Sequence, residues 1–352
     1  MPPAIRAATR RLLPLLAILP ALLDPGSAAA QERFTVTGSR VAIYNLAGRI
    51  ELTRGTGSAV VVEVTRGGRD ATRLRVEQGP VAGAAALRVI YPGDRIAYPA
   101  GDGSTTLRVR DDGTFGDTIR GNQGRSVRVG DDDGVEAWAD LRVLVPDGLE
   151  LDVRLAVGSI AAGGLTANLL LDTHAGDVAV EGVRGRVTLD TGSGNVRAAG
   201  VAGELTVDTG SGDVEVRDAR VGTLSVDTGS GEVLLEAVAA DVLLIDTGSG
   251  GVRASGDAGR ISVDTGSGDV SLDLGDRLAD VAVDTGSGDI TLLVPAGFGA
   301  RVSLETSGGD LEVEMPIQVV RRGGDALEGT IGDGRGRIQV ETGSGRITLR
   351  RK

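Results

Sequence analysis

Acidic, hydroxyl and glycine residues recur together in this sequence, in a motif whose commonest form is Asp-Thr-Gly-Ser-Gly. Three variants of the motif begin at Asp172, Glu305 and Glu341. The six full copies begin at Asp190, Asp208, Asp227, Asp246, Asp264 and Asp284. Such groups serve three kinds of chemistry: carboxylate pairs in acid–base catalysis, carboxylates as calcium ligands, and carboxylates that cap backbone turns.

Hydrophobic-Asp-Thr-Gly-Ser is also the local signature of aspartic proteases, where two such loops face each other and two carboxylates share one proton. Here the motifs start 18 to 21 residues apart, with one gap of 36, which is typical of stacked equivalents along one side of a structure. The single histidine, His174, and the absence of Cys exclude a Ser-His-Asp triad, thiol catalysis and Cys-ligated zinc. We therefore interpret the motif as a turn, with His174 as a surface turn residue and no catalytic residue.

Calcium is the metal that the motif would suit. Acidic residues at its first position and five positions later flank the turn, as in Gly/Asp-rich β-rolls, and a divalent cation would relieve the repulsion of a like-charged column. The later position is Asn195, Gly251 or Arg346 in three copies, however, so the ligand set is not kept. Solvated, turn-capping carboxylates are the favoured interpretation, with calcium as the alternative. The calcium candidates are Asp208, Asp213, Asp227, Glu232, Asp264, Asp269, Asp284 and Asp289.

The residues on both sides of each turn have the alternation of β-strands. With the acidic residue numbered zero, positions −3, −1 and +6 are aliphatic in all nine copies, so each copy is a strand, a turn and a strand with one buried face. The regular period predicts an all-β fold, a parallel β-solenoid of about 18–19 residues per coil. An antiparallel meander or sandwich is the alternative.

Three positions of the motif have predicted structural roles. Thr at +1 shares the buried parity and should stack on itself from coil to coil. Gly at +4 fits a turn that needs positive φ. The carboxylate at zero should accept the backbone N–H groups of its own turn.

The chain ahead of the repeats divides into two predicted regions. Residues 1–30 contain Arg6, Arg10 and Arg11, a short apolar run and small residues, which is typical of a secretory signal peptide; the run is too short for a membrane span. Residues 31–150 are predicted to form a β-rich N-terminal cap with a loop insertion near 98–133. Its Trp138 and three Tyr residues are expected to plug the open end of the solenoid, which the repeat domain forms over 151–352.

Composition limits the partners of the chain. Its 352 residues have a net charge of −12 and no basic cluster, which excludes nucleic acid as a ligand. Aliphatic residues recur throughout, so the chain is expected to fold rather than to stay disordered.

These residues resemble the DUF4097 family of adhesin-like bacterial proteins. The similarity comprises an Asn-x-x-Gly-x-Ile segment at 45–50, a hydrophobic-Val-Pro strand at 144–146 and the repeated turns, and it covers about residues 36 to 350. The resemblance implies an exported, non-enzymatic β-solenoid that acts as an adhesin or cell-envelope scaffold, in the periplasm, on the cell surface or secreted. Its partner would be an unknown surface ligand, a glycan or a protein. A β-helix enzyme acting on polysaccharides and a calcium-stabilised β-roll are the alternatives.

Overall fold

The computed structural model describes residues 31–100, 103–116, 124–130 and 133–352. The predicted signal peptide, residues 1–30, lies outside the described residues. The described chain is all β apart from one 3₁₀ turn at Ala71–Arg73. It contains a large, mostly parallel sheet of 27 strands and a separate sheet of four strands.

The large sheet is wound into a solenoid, as the repeat period predicted. Each coil contributes one strand to a front wall and, after the glycine turn, one strand to a back wall. The front strands are β2 Arg40–Ala47, β5 Arg75–Val81, β6 Ala84–Ile90, β12 Glu150–Val157, β14 Asn168–Ala175, β16 Arg184–Ser193, β18 Ala202–Ser211, β20 Arg220–Ser230, β24 Asp280–Thr285, β26 Ala300–Thr306, β28 Gln318–Arg322, β29 Ala326–Ile331 and β30 Gly336–Thr342.

The back wall is likewise built from one strand of each coil. Two long strands bend and contribute to both walls, β21 Val233–Ser249 and β22 Val252–Ser267. The back strands are β1 Glu32–Val36, β3 Ile50–Arg54, β4 Val60–Gly67, β11 Trp138–Val145, β13 Ile160–Gly163, β15 Val178–Glu181, β17 Val196–Ala199, β19 Val214–Arg217, β23 Val270–Leu274, β25 Ile290–Val294, β27 Leu311–Glu314 and β31 Ile347–Arg351.

Alternate side chains of both walls fill a single aliphatic core. In β18, Leu205, Val207 and Thr209 are buried, whereas the residues between them are exposed. The same alternation continues from coil to coil because equivalent residues pair in register, for example Leu205 with Leu224. Burial of one face of each strand therefore fixes the register of the whole stack, since a slip of one residue would turn the aliphatic face outward.

Four strands within the described parts of 95–136 form the second sheet beside the N-terminal end. Its strands are β7 Arg95–Ala97, β8 Thr105–Val109, β9 Arg125–Gly130 and β10 Val135–Glu136. Strands thus occur in the stretch for which the sequence indicated a loop insertion. All three Tyr residues are buried at this end, and the Tyr98 ring packs on Trp138 with centroids 5.6 Å apart.

Both ends of the stack depart from chain order. At the N-terminal end, β2 and β3 lie between the later strands β6 and β11 on one side and β12 and β13 on the other. At the other end, β30 and β31 are inserted between the coils of β24–β25 and β26–β27. The coil that is last in the chain therefore pairs on both sides, and the coil of 300–314 lies outside it.

Antiparallel strands cover both ends of the large sheet. β1 and β11 pair with β4, and β5 pairs with β6, at the N-terminal end. The hairpin of β28 and β29 pairs with β26 at the other end. An irregularity between Val319 and Arg321 interrupts the outermost strand, a device that discourages further strands from pairing there.

Candidate functional site

Nine carboxylates form one continuous row on the outside of the front wall. Each pairs in register with its equivalent in the next coil, at the strand spacing of about 4.8 Å. We call these residues the acidic row. In spatial order they are Asp172, Asp190, Asp208, Asp227, Asp246, Asp264, Asp284, Glu341 and Glu305.

Seven members of the acidic row have no partner of opposite charge. From Asp208 onward they are exposed, and none makes a hydrogen bond or an ion pair with another residue that the structure describes. Burial first, and then the charges of Asp227 and Asp264, raise the pKa of Asp246. The row is therefore a line of mutually repelling charges.

The predicted turn cap lies at a different position from the one expected. The sequence assigned it to the acidic residue at zero, but the described residues show it at +5, where a side chain accepts the backbone N–H of its equivalent in the next coil. Asp177 Oδ1 accepts from Asn195 N at 2.8 Å, and Asp213 Oδ1 accepts from Glu232 N at 2.9 Å. The +5 row therefore has a structural role that explains why Asn can replace Asp, since both provide an oxygen acceptor.

The threonines at +1 are buried in all nine copies, as predicted. Thr191 Oγ1 donates to the carbonyl of Gly176 in the preceding coil at 3.1 Å, and Thr306 Oγ1 donates to that of Gly345 at the same distance. Hydroxyls of three others are buried without a partner, at Thr209, Thr247 and Thr265. Six of the nine hydroxyls therefore have a backbone carbonyl as acceptor, and three do not.

Glycine at +4 adopts positive φ in eight of the nine copies, which confirms the prediction for those copies. Gly309, in the ninth copy, does not have positive φ. At Gly212 φ is 139°, and an added Cβ would collide with the carbonyl oxygen of Gly194 in the preceding coil. Close approach of consecutive coils thus requires glycine as much as the backbone angle does.

Several carboxylates of the back wall are paired with arginines, in contrast to the acidic row. Arg217 Nε lies 2.5 Å from Glu215 Oε1 and 3.2 Å from Glu236 Oε2. Arg197 lies between Asp177 and Glu215, at 3.5 and 3.7 Å. These carboxylates therefore have a cation within 4 Å, which the seven exposed members of the acidic row lack.

Two buried arginines occupy the N-terminal end of the acidic row. Arg154 pairs in register with Asp172, and beyond it follow Tyr44 and Arg88. Arg154 is 7% exposed; its Nη1 donates to Asp172 Oδ2 at 2.5 Å and its Nε lies 3.1 Å from Asp152 Oδ1. The row thus changes from buried cations, through the half-buried Asp172 and Asp190, to exposed anions from Asp208 onward.

The segment 112–116 covers these arginines. Asp112 lies 3.4 Å from Arg88, and Phe115 packs edge-on against Tyr44 with ring centroids 5.8 Å apart. Phe115 also lies 6.2 Å from His174, measured between ring centroids. His174 is half-buried beside Phe115, so it is not the simple surface turn residue that the sequence suggested.

The sequence analysis missed Arg88 and Arg154. The signal was present for Arg154, because Leu151, Val153 and Gly158 match the −3, −1 and +4 positions of a coil in which Arg154 replaces the acidic residue. Arg88 joins the row through a strand whose sequence carries no turn motif. The pairing of β6 with β2, rather than any sequence motif, places Arg88 in the row.

The calcium candidates lie in two separate rows. Asp208, Asp227, Asp264 and Asp284 belong to the acidic row, whereas Asp213, Glu232, Asp269 and Asp289 belong to the +5 row and accept amide hydrogens. In the described ranges, no group of three or more His, Cys, Asp or Glu residues is arranged to hold a metal ion. Calcium binding by these residues stays a prediction.

The comparison with known families gives one match. The family described as Toastrack DUF4097 matches residues 140–350, which include the acidic row and most of the solenoid. No protein of curated function matches the chain at a significant level. Among the described residues, no helix is long and apolar enough to cross a membrane.

Three of the solved structures that match the chain come from bacteria. A candidate adhesin from Bacteroides fragilis is 10% identical and has a TM-score of 0.38, with 94% of this chain and 100% of that chain covered. A candidate lipid-binding protein from Parabacteroides distasonis is 12% identical, with a TM-score of 0.39 and coverages of 92% and 96%. A candidate cell-adhesion protein from Clostridium sporogenes is 10% identical, with a TM-score of 0.19 and coverages of 92% and 99%.

Proposed function

The chain belongs to the Toastrack family DUF4097, and from this premise we propose that it is a non-enzymatic binding module, an adhesin or scaffold of the cell envelope, that holds its ligand along the acidic row. The observation that carries the proposal is the contrast between the two walls. Glu215 of the back wall is paired with arginine and Asp213 of the +5 row accepts a backbone amide hydrogen, whereas seven carboxylates of the acidic row have neither kind of partner among the described residues. Groups without an internal partner are free to bind an external one.

The arrangement of the acidic row suits a linear ligand. Identical carboxylates recur about every 4.8 Å along the axis, so a polymer lying parallel to that axis meets the same acceptor in each coil. Each exposed contact contributes little by itself, but linked contacts add through their effective concentration. A polymer bearing hydroxyl and ammonium groups fits best, because carboxylates only accept hydrogen bonds and attract positive charge.

The residues beside the row leave room for such a polymer. Glycine occupies +2 in seven consecutive coils, from Gly192 to Gly343 in spatial order, and all seven are exposed. Serine follows at +3 in the same coils and provides hydroxyl groups. The front wall therefore presents a carboxylate row and a hydroxyl row, separated by a strip that has no side chains.

The proposed location is outside the cytoplasm. The charge pattern of residues 1–30 supports this location, because an Arg-containing start, an apolar run and small residues are typical of secretory signals. An exported chain can reside in the periplasm, on the cell surface or in the medium. Detection of the chain in cell fractions, before and after protease treatment of intact cells, distinguishes these places.

The test compares two triple variants that change the net charge equally. One replaces Asp227, Asp246 and Asp264 of the acidic row by Asn, and the control replaces Glu181, Glu215 and Glu236 of the back wall by Gln. The probes are three linear polysaccharides: one bearing free amino groups, one neutral and one bearing uronic acids. We expect the wild-type protein to bind the amino polymer, the front-wall variant to lose that binding and the back-wall variant to keep it. Equal loss in both variants, or preference for the uronic acid polymer, would refute the proposal.

A further inference from the structure

The coil of β30 and β31, residues 336–351, occupies a slot between two coils that precede it in the chain. β30 pairs with β24 on one side and β26 on the other, and β31 pairs in the same way with β25 and β27. Without this coil, the slot would expose four strand edges. Such edges readily accept another strand.

The contacts within the slot do not distinguish this coil from the other copies of the motif. Ile338, Val340 and Thr342 are buried at positions where the eight other copies of the motif carry an aliphatic residue, an aliphatic residue and Thr. The contacts that hold this coil are the same backbone and aliphatic contacts that hold the rest of the stack. A coil of identical sequence from another molecule would therefore fit the slot equally well.

A short link connects the coil to the strand before it. Residues 332–335 pass across the start of β26, because β29 lies on one side of that strand and β30 on the other. Gly332 and Gly334 have φ of 53° and 69°, and a Cβ added at Gly332 would lie 2.9 Å from the Gly299 Cα, so the link runs close to the backbone just before β26. Short hinge loops favour exchange of the element that follows them.

We propose that two copies of this chain exchange the coil of residues 336–351, each copy filling the slot of the other. All strand pairings of the coil are kept in the exchanged dimer, and only the link of residues 332–335 changes conformation. The two stacks are then joined end to end, which doubles the number of acidic rows in one particle.

The test places cysteines on opposite sides of the slot boundary. The sequence contains no Cys, so each disulfide that forms is the designed one. Ala282 on β24 and Gln339 on β30 are exposed register partners, and A282C/Q339C joins the coil to its slot. Ser303 and Gln339 are register partners on the other side, so S303C/Q339C provides a second, independent pair.

The full chain is unfolded, refolded at two concentrations, oxidised and separated on a denaturing, non-reducing gel. Exchange predicts disulfide-linked dimers for both pairs, with a dimer fraction that rises severalfold when the concentration rises about tenfold. The control pair T206C/S225C joins neighbouring coils in the middle of the stack and should give monomers only. Monomers alone from both slot pairs at every concentration would overturn the proposal.

A change in the link tests the cause of exchange. Insertion of Gly-Gly-Ser after Gly334 lengthens the passage across β26 and should lower the dimer fraction severalfold in both slot pairs. An unchanged dimer fraction would overturn the role given to the short link.

Discussion

Arg154 and Asp172 are register partners in adjacent coils, and their side chains form a buried ion pair at the place where the acidic row begins. The Arg154 guanidinium also faces Asp152, so two carboxylates depend on one cation. Burial raises the pKa of Asp152 more than the Arg154 charge lowers it. The pair therefore closes one end of the acidic row with groups that water cannot reach easily.

Replacement of Arg154 by Met should be strongly destabilising. The variant leaves Asp152 and Asp172 partly buried without their cation, which costs on the order of 3 kcal/mol of unfolding free energy. Urea unfolding of R154M measures the loss. The double variant R154M/D172N should recover part of it, and a double variant as unstable as the sum of the two single variants would show that the pair is not coupled.

Replacement of Gly212 by Ala should destabilise the solenoid by about 1 to 3 kcal/mol, because the new Cβ meets the Gly194 carbonyl and φ is 139°. Gly222 provides the control, since an added Cβ there would lie 4.0 Å from its nearest neighbour, the Gly203 carbonyl. G222A should unfold within about 0.5 kcal/mol of the wild type. Similar losses in both variants would refute the role of the close coil contact.

The buried threonines offer a comparison of hydroxyl groups at equivalent positions. Thr228 Oγ1 donates to the Ser230 carbonyl at 3.3 Å, whereas Thr209 Oγ1 has no partner in the described structure. T228V should therefore lose about 1 kcal/mol of stability, and T209V should be neutral or stabilising, because it removes an unsatisfied polar group. The thermal unfolding midpoints of the two variants, compared with that of the wild type, measure this difference. If T209V were the less stable variant, the assigned hydrogen bonding would be wrong.

The raised pKa of Asp246 predicts a specific pH dependence of the stability of the folded protein. Because its pKa is raised in the folded protein, the folded state binds this proton more tightly than the unfolded state, and stability falls as pH rises through the folded pKa. D246N should therefore be more stable than the wild type at neutral pH, and the difference should vanish below the unfolded pKa of about 3.8. Urea midpoints at several pH values test this. A stabilising effect of D246N that grows toward acid pH would contradict it.

Calcium should act on the acidic row as a screening ion. Repulsion among carboxylates about 4.8 Å apart is weakened by salt. We expect the thermal midpoint to rise slightly and equally with calcium and with magnesium, relative to EDTA. A steep rise with calcium alone would instead identify the candidate pairs, such as Asp208 with Asp213, as specific ligands.

Much of the fold could be predicted from the sequence, because the features that form it are local and repeat. The period, the aliphatic alternation, the buried threonines and the glycines of positive φ all follow from single coils. The position of residues 336–351 could not be predicted, since every coil carries equivalent pairing groups and any coil fits any slot. Asn195 stands in place of Asp at +5 and keeps an oxygen acceptor, which indicates in the sequence that this position accepts amide hydrogens.

The measurement that tests the central claim most directly is the affinity of an amino-group-bearing linear polysaccharide for the two matched triple variants. The account predicts that D227N/D246N/D264N binds at least about tenfold more weakly than E181Q/E215Q/E236Q, a difference of about 1.4 kcal/mol. It also predicts that wild-type binding weakens as salt increases. Equal affinities of the two variants would contradict the claim that the acidic row of the front wall is the binding surface.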